Sequence, residues 1–266
     1  MPATHRILRI LGAFSLERPV ITPEWLMQEL GVSRASIYRD LGQLASAGML
    51  ERVADRGYVL GPMVVELDRQ IRLADPLLEA AEELLGPLAD ETGGTILLCR
   101  FHGNKVMCLH QAKPARVQNP GHGALSVSYE RGRAMPLYRG ATSKIILACL
   151  PQPQLKQLWA AERKTLVAAG LPDDFAQLNK VLRGIRDTGY CVTEGEVDPE
   201  AVGFAMPLRD GEHLLGSLSI VLPAALLTAA LRKTMLTRLQ STAGRIEGRL
   251  QDQRAKARAT KKTDTP

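Results

Sequence analysis

Several groups of residues in this 266-residue chain have types and spacings that suit chemistry. The segment 33–41, SRASIYRDL, sets two arginines and a tyrosine beside serines, with Ile37 and Leu41 as its larger aliphatics. Ile37, Leu41 and Leu44 fall at i, i+4 and i+7. A helix here buries that stripe and turns Ala35, Ser36, Arg39, Gly42 and Gln43 the other way, with Arg34 and Tyr38 on one flank. Small residues let a backbone approach a DNA groove, an arginine fork matches guanine or phosphate, and Ser36 and Tyr38 suit phosphate oxygens. The pattern reads as a recognition helix; on an unrelated helix the same residues would only be solvated. Gly42 costs about 1 kcal/mol inside a helix, which close packing against DNA or a following hairpin would explain. Arg56, at the tip of that hairpin, is placed to meet a phosphate or the minor groove.

Other groups are weaker. Cys108 and His110 share one strand face by period 2, and Cys99 lies on the candidate paired strand. Three ligands from one hairpin are a thin case for a metal, so buried thiols and a satisfied histidine are expected, with no metal and no cofactor. Glu194 and Glu196 have the form of an acid–base pair, but nothing nearby completes a hydrolytic constellation, which leaves them facing solvent or rimming a pocket. The run RGATSK lacks the GxxxxGK[ST] spacing of a phosphate loop, and no GxSxG elbow supports serine catalysis.

The elements that position these residues follow from caps and periodicity. Thr4 opens a first helix reaching about Ser15, with Ile7, Ile10, Leu11 and Phe14 at helical spacing. Thr22-Pro23 opens a short second helix stopped by Gly31, and Ser33 caps the third, which ends at Gly48. Two helices joined by a tight glycine turn form a helix-turn-helix. Strands at 49–53 and 58–60 flank an Asp55/Gly57 turn and supply a wing. Val64, Leu67 and Ile71 mark a connector helix, and Asp75-Pro76 opens a long helix that stops at Gly93-Gly94. Strands are expected at 95–100, 105–111, 124–129, 202–208 and 213–221, a loop at 113–123, and helices at 144–150, 154–169 and 173–187. A last helix runs from Ala225 to about Leu250. Strands interleaved with hairpins and helices indicate an α+β module, not a parallel doubly wound sheet.

Composition narrows the class. Hydrophobic residues make up 45% and charged residues 23%, which suits a globular protein. The longest apolar run, 214–227, is too broken for a membrane span, and no leader-like cleavage site follows the first helix, so a cytoplasmic protein without membrane contact is expected. The four cysteines show no CxxC pair and are expected to be reduced. The net charge of +6 invites a polyanion partner, yet residues 1–60 hold seven basic against six acidic residues. The excess sits in residues 249–266, six basic against two acidic, expected to be a basic disordered tail.

With these residues in place, the chain resembles the IclR-type bacterial transcription regulators from about His5 to Ala243. The resemblance rests on GVSRASIYRDL, RGYVLGP, LADETGGT, MPLYRGATSKIILACLP, IRDTGYCVTEGEV, GFAMPLRD and GSLSIVLP, in that order. It implies a winged helix-turn-helix at 1–61, a helical linker at 62–76, and a GAF/PAS-like domain at 77–250 that binds an effector and mediates oligomerisation, with the tail at 251–266. It also implies a homodimer, and a dimer of dimers, on a palindromic double-stranded DNA operator, switched by a small-molecule effector such as an organic or aromatic carboxylate. Effector contacts carry over to Leu137, Ala141, Thr142, Thr193, Gly203, Ser219 and Val221. Thr193 stands where many relatives have Asp, Gly203 where some have Cys, and Val221 where some have Ser. The resemblance thereby implies a roomier, less polar pocket; Arg139, where relatives often have a small residue, is offered as a bidentate carboxylate anchor, with an outward, salt-bridging arginine as the alternative. DNA contacts are assigned to Arg34, Ala35, Ser36, Tyr38, Arg39, Gln43 and Arg56. The alternative is a small-molecule enzyme whose winged helix serves protein contacts.

Overall fold

The computed structural model describes residues 3–54, 56–115, 125 and 127–263, and the chain divides into two compact units, Met1–Asp75 and Pro76–Pro266.

The first unit holds α1 (Ala3–Leu11), α2 (Pro23–Leu30), α3 (Arg34–Ser46), the hairpin β1 (Leu50–Val53) and β2 (Gly57–Leu60), and α4 (Pro62–Ala74). Thr22 caps α2 by accepting from Trp25 N at 3.2 Å, with Pro23 in the first turn, and Gly31 closes the helix at φ +64°. Ile10, Ile21, Leu26, Ile37, Leu41 and Leu50 fill the core between the helices and the wing. Asp40 lies in the same inward stripe as Ile37 and Leu41 and is fully buried. Arg6 from α1 meets it with two bonds, through Nε and through Nη2 to Oδ1 at 3.0 Å. The hydrogen bond to Asp40 raises the Arg6 pKa against the opposing effect of burial.

In the wing, Leu50 pairs with Leu60 and Val53 with Gly57. Ile21 adds a third edge by exchanging backbone bonds with Tyr58 at 2.8 and 2.9 Å. The expected turn residue Asp55 lies outside the described residues. The first helix stops at Leu11, short of Ser15. Beyond Gly12 the chain folds into a tight turn in which Ser15 and Arg18 exchange backbone bonds, and Phe14 packs on the core from that turn.

In the second unit a six-stranded antiparallel sheet runs in the order β5-β4-β3-β8-β7-β6. Its strands are β3 (Thr95–His102), β4 (Lys105–Ala112), β5 (Ala134–Pro136), β6 (Cys191–Glu194), β7 (Ala201–Asp210) and β8 (His213–Pro223). Period-2 alternation splits the core. Ile96 and Leu98 of β3 join α5 (Pro76–Thr92) and α9 (Ala229–Thr263) on one face. Leu97 and Cys99 join the cluster of α6 (Ala141–Cys149), α7 (Gln152–Ala168) and α8 (Phe175–Thr188) on the other. Gly216 lets β8 pass so close to β3 that a Cβ would lie 1.9 Å from the Cys99 carbonyl oxygen.

Three expectations are corrected. Of the strand expected at 124–129, the described residues Leu125 and 127–129 carry no ladder, and Ala124 and Ser126 lie outside the described residues. The sheet edge is instead the short β5, which pairs with β4 from Lys105 to Met107. Residues 116–123 of the expected loop also lie outside the described residues. The last helix starts at Ala229, after a 3-10 turn at Ala224–Leu226, and runs to Thr263, so residues 251–263 are helical where disorder was expected. Alanine, lysine, arginine and glutamine are strong helix formers, and Arg254 is tied to Asp210 at 2.5 Å.

Gly57 adopts φ +116°, and a Cβ there would sit 2.4 Å from the Ile21 carbonyl oxygen. Gly57→Ala is expected to break the Ile21–Tyr58 edge and destabilise the first unit by more than about 2 kcal/mol. Urea unfolding followed by circular dichroism and by Trp25 fluorescence measures it.

Candidate functional site

In the first unit the sequence builds one exposed face on α3. Ser33 caps the helix by accepting from Ser36 N at 3.4 Å and donates through Oγ to Ser36 Oγ at 3.1 Å. Arg34, Ala35, Tyr38, Arg39, Gly42 and Gln43 are exposed, and Ser36 is half-buried. The Arg34 guanidinium stacks 5.2 Å from the Tyr38 ring centroid, which holds both side chains outward. Arg56 is exposed at the wing. Asp40, the one acid of α3, is turned inward against Arg6. The outward face therefore carries two arginines and no carboxylate, an arrangement that suits a phosphate backbone and base edges. A charged residue inside an apolar stripe was the signal for the buried pair, and the sequence reading passed over it.

Gly42 is exposed, and a Cβ there would meet nothing within 4 Å. Packing against the wing is thus not the reason for this glycine. Gly42→Ala is expected to stabilise the first unit by about 1 kcal/mol while weakening DNA binding. Parallel thermal melts and fluorescence-anisotropy titrations on DNA distinguish the two effects.

In the second unit a small cavity forms where α6 starts beside β7, β8 and the loop 195–200. Ala141, Thr142, Thr193, Gly203 and Val221 come together around it. The remaining walls are Val127, Tyr129 and Ala201, with Gly140, Glu196, Val197 and Asp198 at the loop side. Gly140, at φ +77°, is required: a Cβ would lie 2.8 Å from Val197 Cγ2. Its amide donates to Glu196 Oε2 at 3.0 Å, and Lys144 Nζ reaches Glu196 Oε1 at 2.5 Å. Asp198 accepts from Ser128 N at 3.0 Å and from Ser128 Oγ. Tyr129 OH donates to the Arg139 carbonyl at 3.0 Å and pairs with Ser143 Oγ at 2.8 Å; burial raises its pKa, so the phenol stays neutral. Burial likewise pushes the Cys191 thiol up to about 11.

Three predicted pocket residues stand elsewhere. Leu137 is fully buried in the core beneath α6, and Ser219 lies under Thr142, accepting from its Oγ1 at 3.0 Å. Arg139 does not anchor anything in the cavity: its Nη2 donates to the Glu196 carbonyl oxygen at 2.8 Å, on the exposed side of the loop. The cavity encloses about 30 Å³, because Tyr129 and Val197 fill the space beside the small residues, and two carboxylates line it. Glu196 takes the pocket-rim place that was one of its two expected positions, whereas Asp198 and Tyr129 were missed as walls. Glu196 meets Gly140 from 56 residues away and Asp198 meets Ser128 from 70, approaches that carry no local periodicity.

A winged helix-turn-helix unit followed by an α+β unit with a cavity at a helix start is the architecture of a ligand-responsive transcription regulator. A family model described as the C-terminal domain of the bacterial transcriptional regulator IclR matches residues 74–247, and a helix-turn-helix domain model matches residues 6–59. The chain belongs to the IclR family. It is a transcription regulator that uses a helix-turn-helix domain for DNA and an effector domain for small ligands, and the enzyme alternative falls away.

The chain is 24% identical over 222 residues to the Pca regulon regulatory protein of Pseudomonas putida, covering 83% of this chain and 74% of that protein. An IclR-type regulator structure from Silicibacter sp. TM1040 superposes with a TM-score of 0.78 at 23% identity, over 94% of this chain and 96% of that one. The structure of an IclR homologue complexed with 4-hydroxybenzoate, from Microbacterium hydrocarbonoxydans, superposes with a TM-score of 0.72 at 20% identity, over 94% and 100%. Among the described residues no helix is long and apolar enough to cross a membrane.

Proposed function

We propose that this regulator binds a palindromic operator as a homodimer, reading it with Arg34, Ala35, Ser36, Tyr38, Arg39 and Gln43 of α3 and with Arg56 of the wing, and that a small aromatic or organic carboxylate switches it from the cytoplasm. The acid-free outward face of α3 carries the DNA half of the reading. For the homodimer, α4 buries none of its residues in its own chain and exposes Val65, Ile71 and Leu73 by more than half, while α1 exposes Leu8. Apolar side chains at that exposure on consecutive turns suit a second copy. A dimer of dimers through the second unit remains part of the proposal.

For the effector, the cavity lies at the start of α6, whose first amides have no acceptor within the helix. A carboxylate there meets the favourable end of the helix dipole and Lys144. The Pseudomonas relative is named for a Pca regulon and the Microbacterium homologue is complexed with 4-hydroxybenzoate, which supports an aromatic acid. A cavity of about 30 Å³ holds roughly one water, whereas a benzene-sized guest needs on the order of 150 Å³. Entry therefore requires the loop 195–200 to move, and Glu196 to yield Gly140 N and Lys144 to the incoming carboxylate. The free energy by which the effector prefers the opened arrangement is what shifts the regulator.

Selection from a random DNA library at fixed salt is expected to enrich a palindrome with the wild type. Arg39→Ala is expected to lose about 1–3 kcal/mol of discrimination at the bases it reads; failure of the folded wild type to enrich any palindrome would refute the operator reading.

Glu196→Gln, which releases Lys144 from its ion pair, is expected to bind 4-hydroxybenzoate or benzoate about tenfold more tightly, a gain of about 1.4 kcal/mol. Lys144→Ala is expected to abolish that binding in isothermal titration calorimetry. Equal affinities for all three proteins would place the carboxylate elsewhere.

A further inference from the structure

The sheet face that bears the cavity also bears two thiols that the reading above leaves unused. Cys99 of β3 and Cys108 of β4 are direct cross-strand partners. The two strands are joined by the two-residue turn Gly103-Asn104 between His102 and Lys105. In such a hairpin the pair flanking the turn is hydrogen-bonded and the pairs alternate from there. His102/Lys105 and Arg100/Met107 are then hydrogen-bonded pairs, and Phe101/Val106 and Cys99/Cys108 are the closer, non-hydrogen-bonded ones. Cα atoms of such a pair stand about 4.5 Å apart, inside the roughly 4.4–6.8 Å that a disulfide spans. Both side chains lie in the same core cluster as α6, at 0% and 1% exposure. The other two cysteines cannot substitute: Cys191 is on β6, separated from β3 by β8 and β7, and Cys149 ends α6.

We propose that Cys99 and Cys108 are an oxidation site of this regulator, closing to a reversible disulfide under hydrogen peroxide. The chemistry has a defined order. The hydrogen bond with Cys99 lowers the Cys108 pKa despite its burial, and the Arg131 charge adds to that, while the Cys108 thiol donates to the His110 carbonyl at 3.4 Å; burial raises the Cys99 pKa. Cys108 is thus the more acidic of the two, the one that reacts once it loses its proton, and Cys99 the proton-bearing partner. The thiolate attacks one peroxide oxygen and the O–O bond breaks. Cys108 becomes a sulfenic acid, and the released hydroxide takes a proton to leave as water. The Cys99 sulfur then attacks the Cys108 sulfur, the S–O bond breaks, and a second water leaves with the Cys99 proton. Two thiols lose two electrons and one peroxide gains them.

The bond would cross-link β3 to β4 behind Tyr129, which lies close enough to Cys99 for a charge there to disfavour phenol ionisation. Tyr129 is a wall of the cavity and holds the start of α6 through Ser143. The oxidation site is therefore joined by one side chain to the effector site. The cross-link does not depend on what the cavity binds.

The test uses the full-length protein, treated with hydrogen peroxide, quenched, unfolded and alkylated with iodoacetamide before intact-mass measurement. Untreated protein is expected to take four alkyl groups, matching its four cysteines, and peroxide-treated protein two. Digestion with trypsin should join the peptide ending at Arg100 to the one beginning at Val106, and dithiothreitol should restore four alkylations. The double variant Cys149→Ser with Cys191→Ser should keep the cross-link. Cys99→Ser should leave a sulfenic acid on Cys108 that dimedone traps, with Cys108→Ser giving none at Cys99. Four alkylations after peroxide, a cross-link through Cys149 or Cys191, or irreversible sulfonic products without a cross-link would each overturn the proposal. Because mass is the readout, it can fail while the operator and effector readings stand, and the reverse.

Discussion

A buried carboxylate must be paired, and a half-buried one gains by it; one of each fixes local geometry in the two units. Asp40 is the first. Its place in the apolar stripe of α3 would make that helix unable to pack, were Arg6 not delivered to it from α1 by two hydrogen bonds. The pair fixes where α1 sits. It also removes the only negative charge of α3 from the face that Arg34 and Arg39 present. Fold and electrostatics are thus set by one contact. Glu196 is the second. It takes up the backbone amide at the entrance of α6 and the Lys144 ammonium together, and so holds the loop 195–200 against the helix.

The sheet explains why that loop has a cavity to close. Because neighbouring residues of β3 point to opposite faces, one strand supplies Ile96 and Leu98 to the α5/α9 side and Leu97 and Cys99 to the α6 side. On the α6 side small residues are concentrated at one spot. A Cβ on Gly203 would stand 3.5 Å from the Cβ of Ala141, an ordinary contact, so the helix start approaches β7 closely without touching it. Polar bonds finish the seam: Ser217 donates to the Thr142 carbonyl at 3.1 Å, and Thr142 to Ser219. The start of α6 is held by hydroxyls from below and by a carboxylate loop from above.

What could be read from the sequence was local. Caps at Thr22 and Ser33 and the stop at Gly31 each act within a few residues, and the structure has them where they were expected. The small-residue positions around the cavity were reached through family motifs, and the structure does gather Ala141, Thr142, Thr193, Gly203 and Val221. What stayed open or unread depended on distance. The choice between an inward and an outward Arg139 is set by a carbonyl 57 residues away, and the closure of the cavity by residues whose approach no periodicity encodes. The end of α9 was misjudged differently: charge density was weighed as a sign of disorder, although the residues carrying it have high helix propensity.

The loop 195–200 has one more consequence. Glu196 and Asp198 tie it down with polar bonds, and neither they nor Pro199 and Glu200 belong to the core cluster, where Val197 contributes only a partly buried contact. The side chains of Pro199 and Glu200 can therefore drift in evolution, or be randomised at the bench, at little cost to folding, while changes at 196–198 loosen the loop and leave the core beneath it intact. The lining of the proposed effector cavity can diverge faster than the scaffold beneath it.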